Sequence, residues 1–149
     1  MFTYQQEFSY SLKGEIESLV DDEWQEVGDE PDLKPDLDWE TIHALEEVGA
    51  IFAFTVRNNG KLVGYCVVSK YNGIANKKLV IAECQALFVS KEHRGCSVAN
   101  KLIKFAVAVM KEEGANRFHL SASASTKDIS PLMTRLGFDK IEIKFGRVI

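Results

Sequence analysis

The sequence predicts an α/β (α+β) domain in which one sheet carries helices on both faces, and three stretches support that expectation. Residues 78–114 read as an apolar strand, a short basic turn and a long amphipathic helix. Residues 51–69 read as a β-hairpin, and residues 11–48 as two helices joined by an acidic, proline-containing loop. Interleaved elements of this kind bury their apolar faces against one another in packed layers. At 149 residues and 46% hydrophobic content, the chain fits one domain with a sizeable core.

Taken in order, residues 2–10 form a first strand of mixed aromatic and polar character. Residues 11–27 form a helix whose stripe is Leu12, Ile16, Leu19, Val20, Glu23 and Trp24, apolar but edged with acid. Two prolines and five acids make residues 28–38 a loop. Asp38 caps a second helix over residues 39–48, with Thr41 nearby and Gly49 as its stop. Residues 51–57 and 62–69 are strands joined through Asn58-Asn59-Gly60, a strong hairpin signal. The run Val80 to Val89 suits a central strand covered on both faces. Val98, Leu102, Phe105, Ala106, Val109 and Met110 then recur at helical spacing, and Gly114 closes that helix. Residues 117–122 suit another strand. Pro131 and Gly137 bracket a last helix capped by Asp128 or Ser130, and residues 138–149 leave room for one further strand.

The net charge of −4 conceals an asymmetry. Residues 15–47 hold 14 acids against Lys34 alone, a balance of −13, whereas residues 48–149 carry 16 basic and 7 acidic residues, a balance of +9. A basic half suits a polyanionic ligand and an acidic half a cationic one, although the acids could equally serve only to solubilise their helices. Nucleic acid is excluded as a partner: the basic residues are dispersed, no aromatic series accompanies them, and the acidic half repels a phosphate backbone. No run of 18 apolar residues suggests a membrane span, and the N-terminus lacks the pattern of a signal peptide, so a soluble cytosolic protein is expected. Cys66, Cys84 and Cys96 lack the spacing of a metal site, and reduced thiols are expected, with no metal.

A strand turning through small residues into a helix leaves the first helical N–H groups unpaired at the positive end of the dipole. Gly95, Cys96, Ser97 and Ala99 are small enough for a phosphate to approach, and Lys91, Arg94 and Lys101 add positive charge. The order Arg94, Gly95, Cys96, Ser97, Val98, Ala99 after the strand ending Leu87-Phe88-Val89 resembles the acetyl-coenzyme A motif of the GNAT N-acetyltransferase superfamily. Gly60-Lys61-Leu62-Val63-Gly64-Tyr65 is similar to that family's third-strand segment, and Leu136-Gly137-Phe138 to its usual ending. The compact chain, the loop serine and the PLMTRLGF ending also resemble small GNAT proteins of tailed bacteriophages. Ser97 stands where the family has glycine; should the site require positive φ or close approach, binding weakens.

The resemblance implies a single GNAT domain over residues 1–149, with a twisted, mixed, mostly antiparallel sheet of about six strands, splayed between the fourth and fifth. It implies direct transfer of acetyl from acetyl-CoA to a primary, cationic amine, on a small molecule or a protein, by a monomer or homodimer. Leu87, Phe88, Val89, Arg94, Gly95, Cys96, Ser97, Val98, Ala99 and Lys101 then hold the coenzyme. A backbone N–H near Leu87 to Val89 holds the thioester carbonyl. An alkylammonium of pKa ~10.4 loses its proton at pH 7 at a cost of about 4 to 5 kcal/mol, so a base is needed. Glu83, the acid within the central strand, is the candidate, unless it pairs with Arg117 or another base; His119 and Glu92 are alternatives. Met133 stands where many relatives carry a proton-donating tyrosine, leaving Ser130, Thr134, Tyr65 or water. Trp24 and Trp39 contact the acceptor or anchor their helices in the core. Cys96 is a reactive thiol or a small loop residue, and Ser121, Ser123 and Ser125 are hydrogen-bonding groups or packing residues. The competing expectation is an inactive scaffold that binds coenzyme A or engages a basic protein through its acidic face.

Overall fold

The computed structural model describes residues 1–27 (for Val27 the backbone alone), 30, 32–95, 97–123 and 127–149. Strand β1 (Phe2–Glu7) leads through a 3-10 turn at Ser9–Leu12 into helix α1 (Lys13–Val27), and helix α2 (Trp39–Glu47) follows. Strands β2 (Ile51–Asn58), β3 (Lys61–Asn72) and β4 (Val80–Val89), helix α3 (Val98–Glu112), strand β5 (Arg117–Leu120) and helix α4 (Ser130–Arg135) complete the order.

The strands form one sheet in chain order. β1 to β4 pair antiparallel, whereas β5 joins β4 in parallel after the α3 crossover. The β2–β3 turn places Asn59 at φ 50° and Gly60 at φ 85°, both in the left-handed region, as a two-residue hairpin needs. Asp38 caps α2 by accepting from Thr41 N–H at 3.0 Å. Two cores occupy the two faces of the sheet. On one, Phe54, Val56, Cys66, Val68 and Ala82 pack against Val98, Leu102, Ala106 and Met110 of α3. On the other, Leu62, Tyr65 and Phe88 meet Leu12, Ile16 and Leu19. The same face carries an anchor at its rim, where Glu46 of α2 accepts from Ser9 N–H at 2.8 Å and from Ser9 Oγ at 2.6 Å.

The mixed sheet with helices on both faces matches the expected class; the strand count does not reach six. Among the described residues the sheet has five strands, and residues 138–149 form none. Phe138 closes edge-on against Phe118 of β5, ring centroids 6.1 Å apart, and beyond it Ile141, Ile143 and Phe145 are exposed.

β3 and β4 pair along β4's whole length, but β5 pairs only from Ile81↔Arg117 to Cys84↔Leu120. The β3 register skips Gln85, with Val67 opposite Ala86 and Val68 opposite Cys84, so β4 carries a bulge where its second partner ends. From that point β4 and β5 part.

Phe54 is fully buried, stacked on Phe52 and met edge-on by Phe105 at 5.9 Å. Phe54→Ala is expected to cost about 3–5 kcal/mol, read as a lowered urea midpoint with unchanged slope.

Candidate active site

Residues 90–97 carry the chain from β4 into α3. Gly95 has φ 86° and Ser97, the N-cap of α3, φ 60°. Positive φ is therefore needed at both places, and Ser97 meets it with a Cβ that glycine lacks. Ser97 makes no side-chain capping bond, and the first turn of α3 holds no acid. The amides of Val98, Ala99 and Asn100 so face a position where an anion serves as cap. Lys91 and Lys101 are exposed beside it. Cys96 lies outside the described residues.

Arg94 is more constrained than a mobile rim charge. Its Nε donates to Val89 O at 2.7 Å, and its guanidinium binds Glu26 of α1 with two bonds of 2.5 and 2.7 Å, lying over the Phe88 ring. That bond holds the Glu26 carboxyl below its ordinary range. His93 is held by Ser90 and Asn58 and by the edge of Phe2, a structural role within the turn.

The gap beside β4 offers donors. Ser90 N–H bonds to Val63 O at 2.9 Å, so strand alternation turns the N–H groups of Leu87 and Val89 away from β3 and towards the space left by β5. The Val89 carbonyl taken by Arg94 points the same way. Leu87 and Val89 side chains enter the α3 core, while Phe88 enters the other.

On the face opposite α3, a cavity of about 350 Å³ reaches the bulge at Gln85 and Ala86. Ile16, Val20 and Trp24 of α1 and Trp39 and Ile42 of α2 line it, with Val67 of β3 as floor. Both tryptophans thus face the cavity, and their N–H groups are already used, Trp24 to Leu33 O at 2.9 Å and Trp39 to Glu17 at 2.7 Å. Half-buried Glu23 enters the same cavity and accepts from Tyr65 Oη. Burial pushes the Glu23 carboxyl up, against the lowering effect of the Tyr65 bond, and the nearby Glu26 charge adds to the rise. Burial first, then the Glu23 charge, pushes the Tyr65 phenol far above its ordinary value. Glu23 was not among the residues expected to act. The available signal was an acid within the apolar stripe of α1, at the same helical spacing as Ile16, Leu19 and Val20.

Glu83 lies on this face of β4, two residues before the bulge and outside the cavity lining. It accepts from Tyr71 Oη at 2.7 Å, stands opposite Ser69 on β3 and is level with His119 on β5. The Glu83 bond holds the Tyr71 phenol above its ordinary value. Met133 is half-buried on α4. Ser121 and Ser123 follow the end of β5, and Ser125 lies outside the described residues. Cys66 and Cys84, widely separated in sequence, come to 3.6 Å across β3 and β4; that contact and burial push the Cys66 thiol up, away from thiolate chemistry. Among the described residues no cluster of metal-ligating side chains occurs, and no helix is long and apolar enough to cross a membrane.

The chain matches the acetyltransferase (GNAT) family over residues 14–138. It is 32% identical over 94 residues to an uncharacterized N-acetyltransferase of Methanocaldococcus jannaschii, a match taking in 62% of this chain but 41% of that relative's length. Its fold resembles that of an aminoglycoside acetyltransferase from an uncultured soil metagenomic sample, with a TM-score of 0.78 and 17% identity over 100% of this chain and 99% of the other. It also resembles a predicted acetyltransferase from Clostridium acetobutylicum whose structure contains acetyl-CoA, with a TM-score of 0.73 and 13% identity over 99% and 96% of the two chains.

Two measurements check this geometry. Ser97→Gly removes a Cβ from a left-handed residue and is expected to stabilise the fold by about 1 kcal/mol, seen as a higher urea midpoint. The second concerns pH. Because the Glu23 carboxyl is raised when folded, the stability tied to its protonated form is full below its ordinary 4.5 and is lost as pH rises through the raised value. Glu7 has the opposite sign. Burial pushes its carboxyl up, but hydrogen bonds from Arg57, Thr55 and Gln5 hold it below its ordinary value, so its contribution is lost as pH falls. Glu23→Gln is therefore expected to flatten the decline in stability above pH 4.5 while leaving the acid limb in place.

Proposed function

Because the chain belongs to the acetyltransferase (GNAT) family, we propose that it is an acetyl-CoA-dependent N-acetyltransferase acting by direct transfer to a primary amine. The observation that carries this reading is the parting of β4 and β5 at the Gln85 bulge. There, backbone donors on one side, the N-terminus of α3 that Ser97 does not cap and a cavity with a half-buried acid converge on one segment of β4. The fit to coenzyme A rests on this chain's own geometry: left-handed Gly95 and Ser97, and α3 amides that the Ser97 side chain does not cap.

Acetyl-CoA supplies an acetyl group activated as a thioester. The amides at the start of α3 receive its pyrophosphate, and Lys101 adds charge. Arg94 adds more once its guanidinium exchanges Glu26 for phosphate, a replacement of one charge-assisted pair by another. One backbone N–H, that of Leu87 or Val89, holds the thioester carbonyl oxygen as negative charge develops on it. The amine nitrogen bonds to the acetyl carbon as the carbon–sulfur bond breaks, its electron pair leaving with sulfur. Glu83 takes the amine's proton, directly or through water, and Tyr71 holds the Glu83 carboxylate in place. Met133 has no proton to give, so the leaving sulfur takes one from solvent.

Ala99→Asp places a carboxylate in the first turn of α3, where the dipole favours it but where Ala99 packs partly buried against the core; a melting curve establishes that the variant is folded, and a bound pyrophosphate is repelled. Coenzyme A binding by calorimetry is expected to weaken at least about tenfold; unchanged affinity removes the pyrophosphate site. Glu83→Gln is expected to lower thiol release with amine by about 10² to 10⁴ at neutral pH while coenzyme A binding holds. Equal turnover across pH sinks that assignment. Coenzyme A binding without thiol release from any amine favours instead a scaffold that has kept the coenzyme but lost the chemistry.

A further inference from the structure

Resting on the reading just given, we infer that the acceptor is a small primary amine carried on an apolar, aromatic-sized body, held by the α1–α2 cavity with its ammonium on Glu23. The acidic half of the chain, taken as charge alone, points to a polycation or a basic protein; the fold points elsewhere. Most of those acids that touch this face already have partners. Glu15 binds Arg57, Glu17 binds Trp39, Glu26 binds Arg94, Glu46 binds Ser9 and Asp38 caps α2. Glu23 is different because it projects inward, among Ile16, Val20, Trp24 and Val67, and among the described residues its hydrogen bond is to the neutral phenol of Tyr65.

The cavity, about 350 Å³, lies within the range of small-molecule sites, roughly 300–1,000 Å³. Its walls decide which amines suit it. A polyhydroxylated aminosugar brings many hydroxyls, and each one buried without a partner is costly. The lining offers few such partners, since the two indole N–H groups are spent on Leu33 and Glu17, the Ser9 hydroxyl on Glu46 and the Gln85 amide N–H on Ser69. A linear polyamine brings several charges, whereas the lining holds Glu23 within and one further carboxylate, the exposed Glu30. A primary ammonium on an aryl or branched alkyl body matches both features: one charge for Glu23, and a face for Trp24 and Trp39 to stack against. Because Gln85 and Ala86 belong both to this cavity and to the bulge where β5 departs, an amine seated here lies next to the gap proposed for the thioester.

The test compares phenethylamine with spermidine, kanamycin and a lysine-rich peptide as acceptors, by thiol release from acetyl-CoA, and measures phenethylamine binding directly by calorimetry. Phenethylamine is expected to be the preferred acceptor. Glu23→Gln is expected to raise its KM about tenfold or more with little change in kcat, and to leave inhibition by the neutral isostere 2-phenylethanol unchanged. A purely structural role for Glu23 would alter both ligands alike. Val20→Phe, which fills the cavity without touching the charge, is expected to weaken amine and alcohol together; melting curves establish that each variant is folded. Turnover confined to spermidine, kanamycin or the peptide overturns the inference and leaves acetyl transfer standing. Failure of acetyl-CoA to bind removes the acetyltransferase reading, and the calorimetry still decides the cavity. Phenethylamine binding that Glu23→Gln weakens supports it, and no binding overturns it.

Discussion

Strand β4 has two neighbours of unequal length. β3 holds it from end to end, while β5 holds its first half and stops at Cys84. Buried backbone amides need partners, and β4 beyond that point has them on the β3 side alone within the sheet. The Gln85 bulge sits at the boundary and resets which side chains face the α1–α2 side, so that Gln85 and Ala86 line the cavity while Leu87 and Val89 pack under α3. The gap, the approach to the start of α3 and the floor of the cavity are three consequences of this one interruption. A sheet paired to the end would have satisfied the same amides and closed the site.

Charge is organised around that gap. Arg57 ties Glu7 of β1 and Glu15 of α1 to β2, and Arg94 ties Glu26 to the loop before α3. The Arg57–Glu7 pair is largely shielded from solvent, whereas more exposed pairs such as Arg94–Glu26 contribute little individually. Their effect is positional: they keep α1 against the sheet and place the guanidinium of Arg94 where an anion can compete for it. Four acids of the N-terminal half, Glu15, Glu17, Glu26 and Glu46, thus tie elements together, while Glu23 enters the cavity.

Much of this was legible in the residues. The hairpin at Asn59-Gly60, the Asp38 cap, the α3 stripe and the stop at Gly114 follow from local rules, and the chain forms each of them. The requirement for positive φ at Ser97 could be posed as a question from its place after Gly95, and the backbone answers it. Other features were out of reach. Glu26 and Arg94 are 68 residues apart, Glu23 and Tyr65 are 42 apart, and spacing along a chain says nothing about such partners. Residues 138–149 left room for one further strand, and they form none.

The sequence by itself determined the elements, the class of fold and the small-residue turn into α3, since these depend on propensity and periodicity within about a dozen residues. Tertiary structure alone decided which acids are spent on ion pairs, which carboxyl enters the cavity, and where β5 leaves β4. Those outcomes depend on distances between residues far apart in the chain, and burial and electrostatics act across space rather than along the backbone.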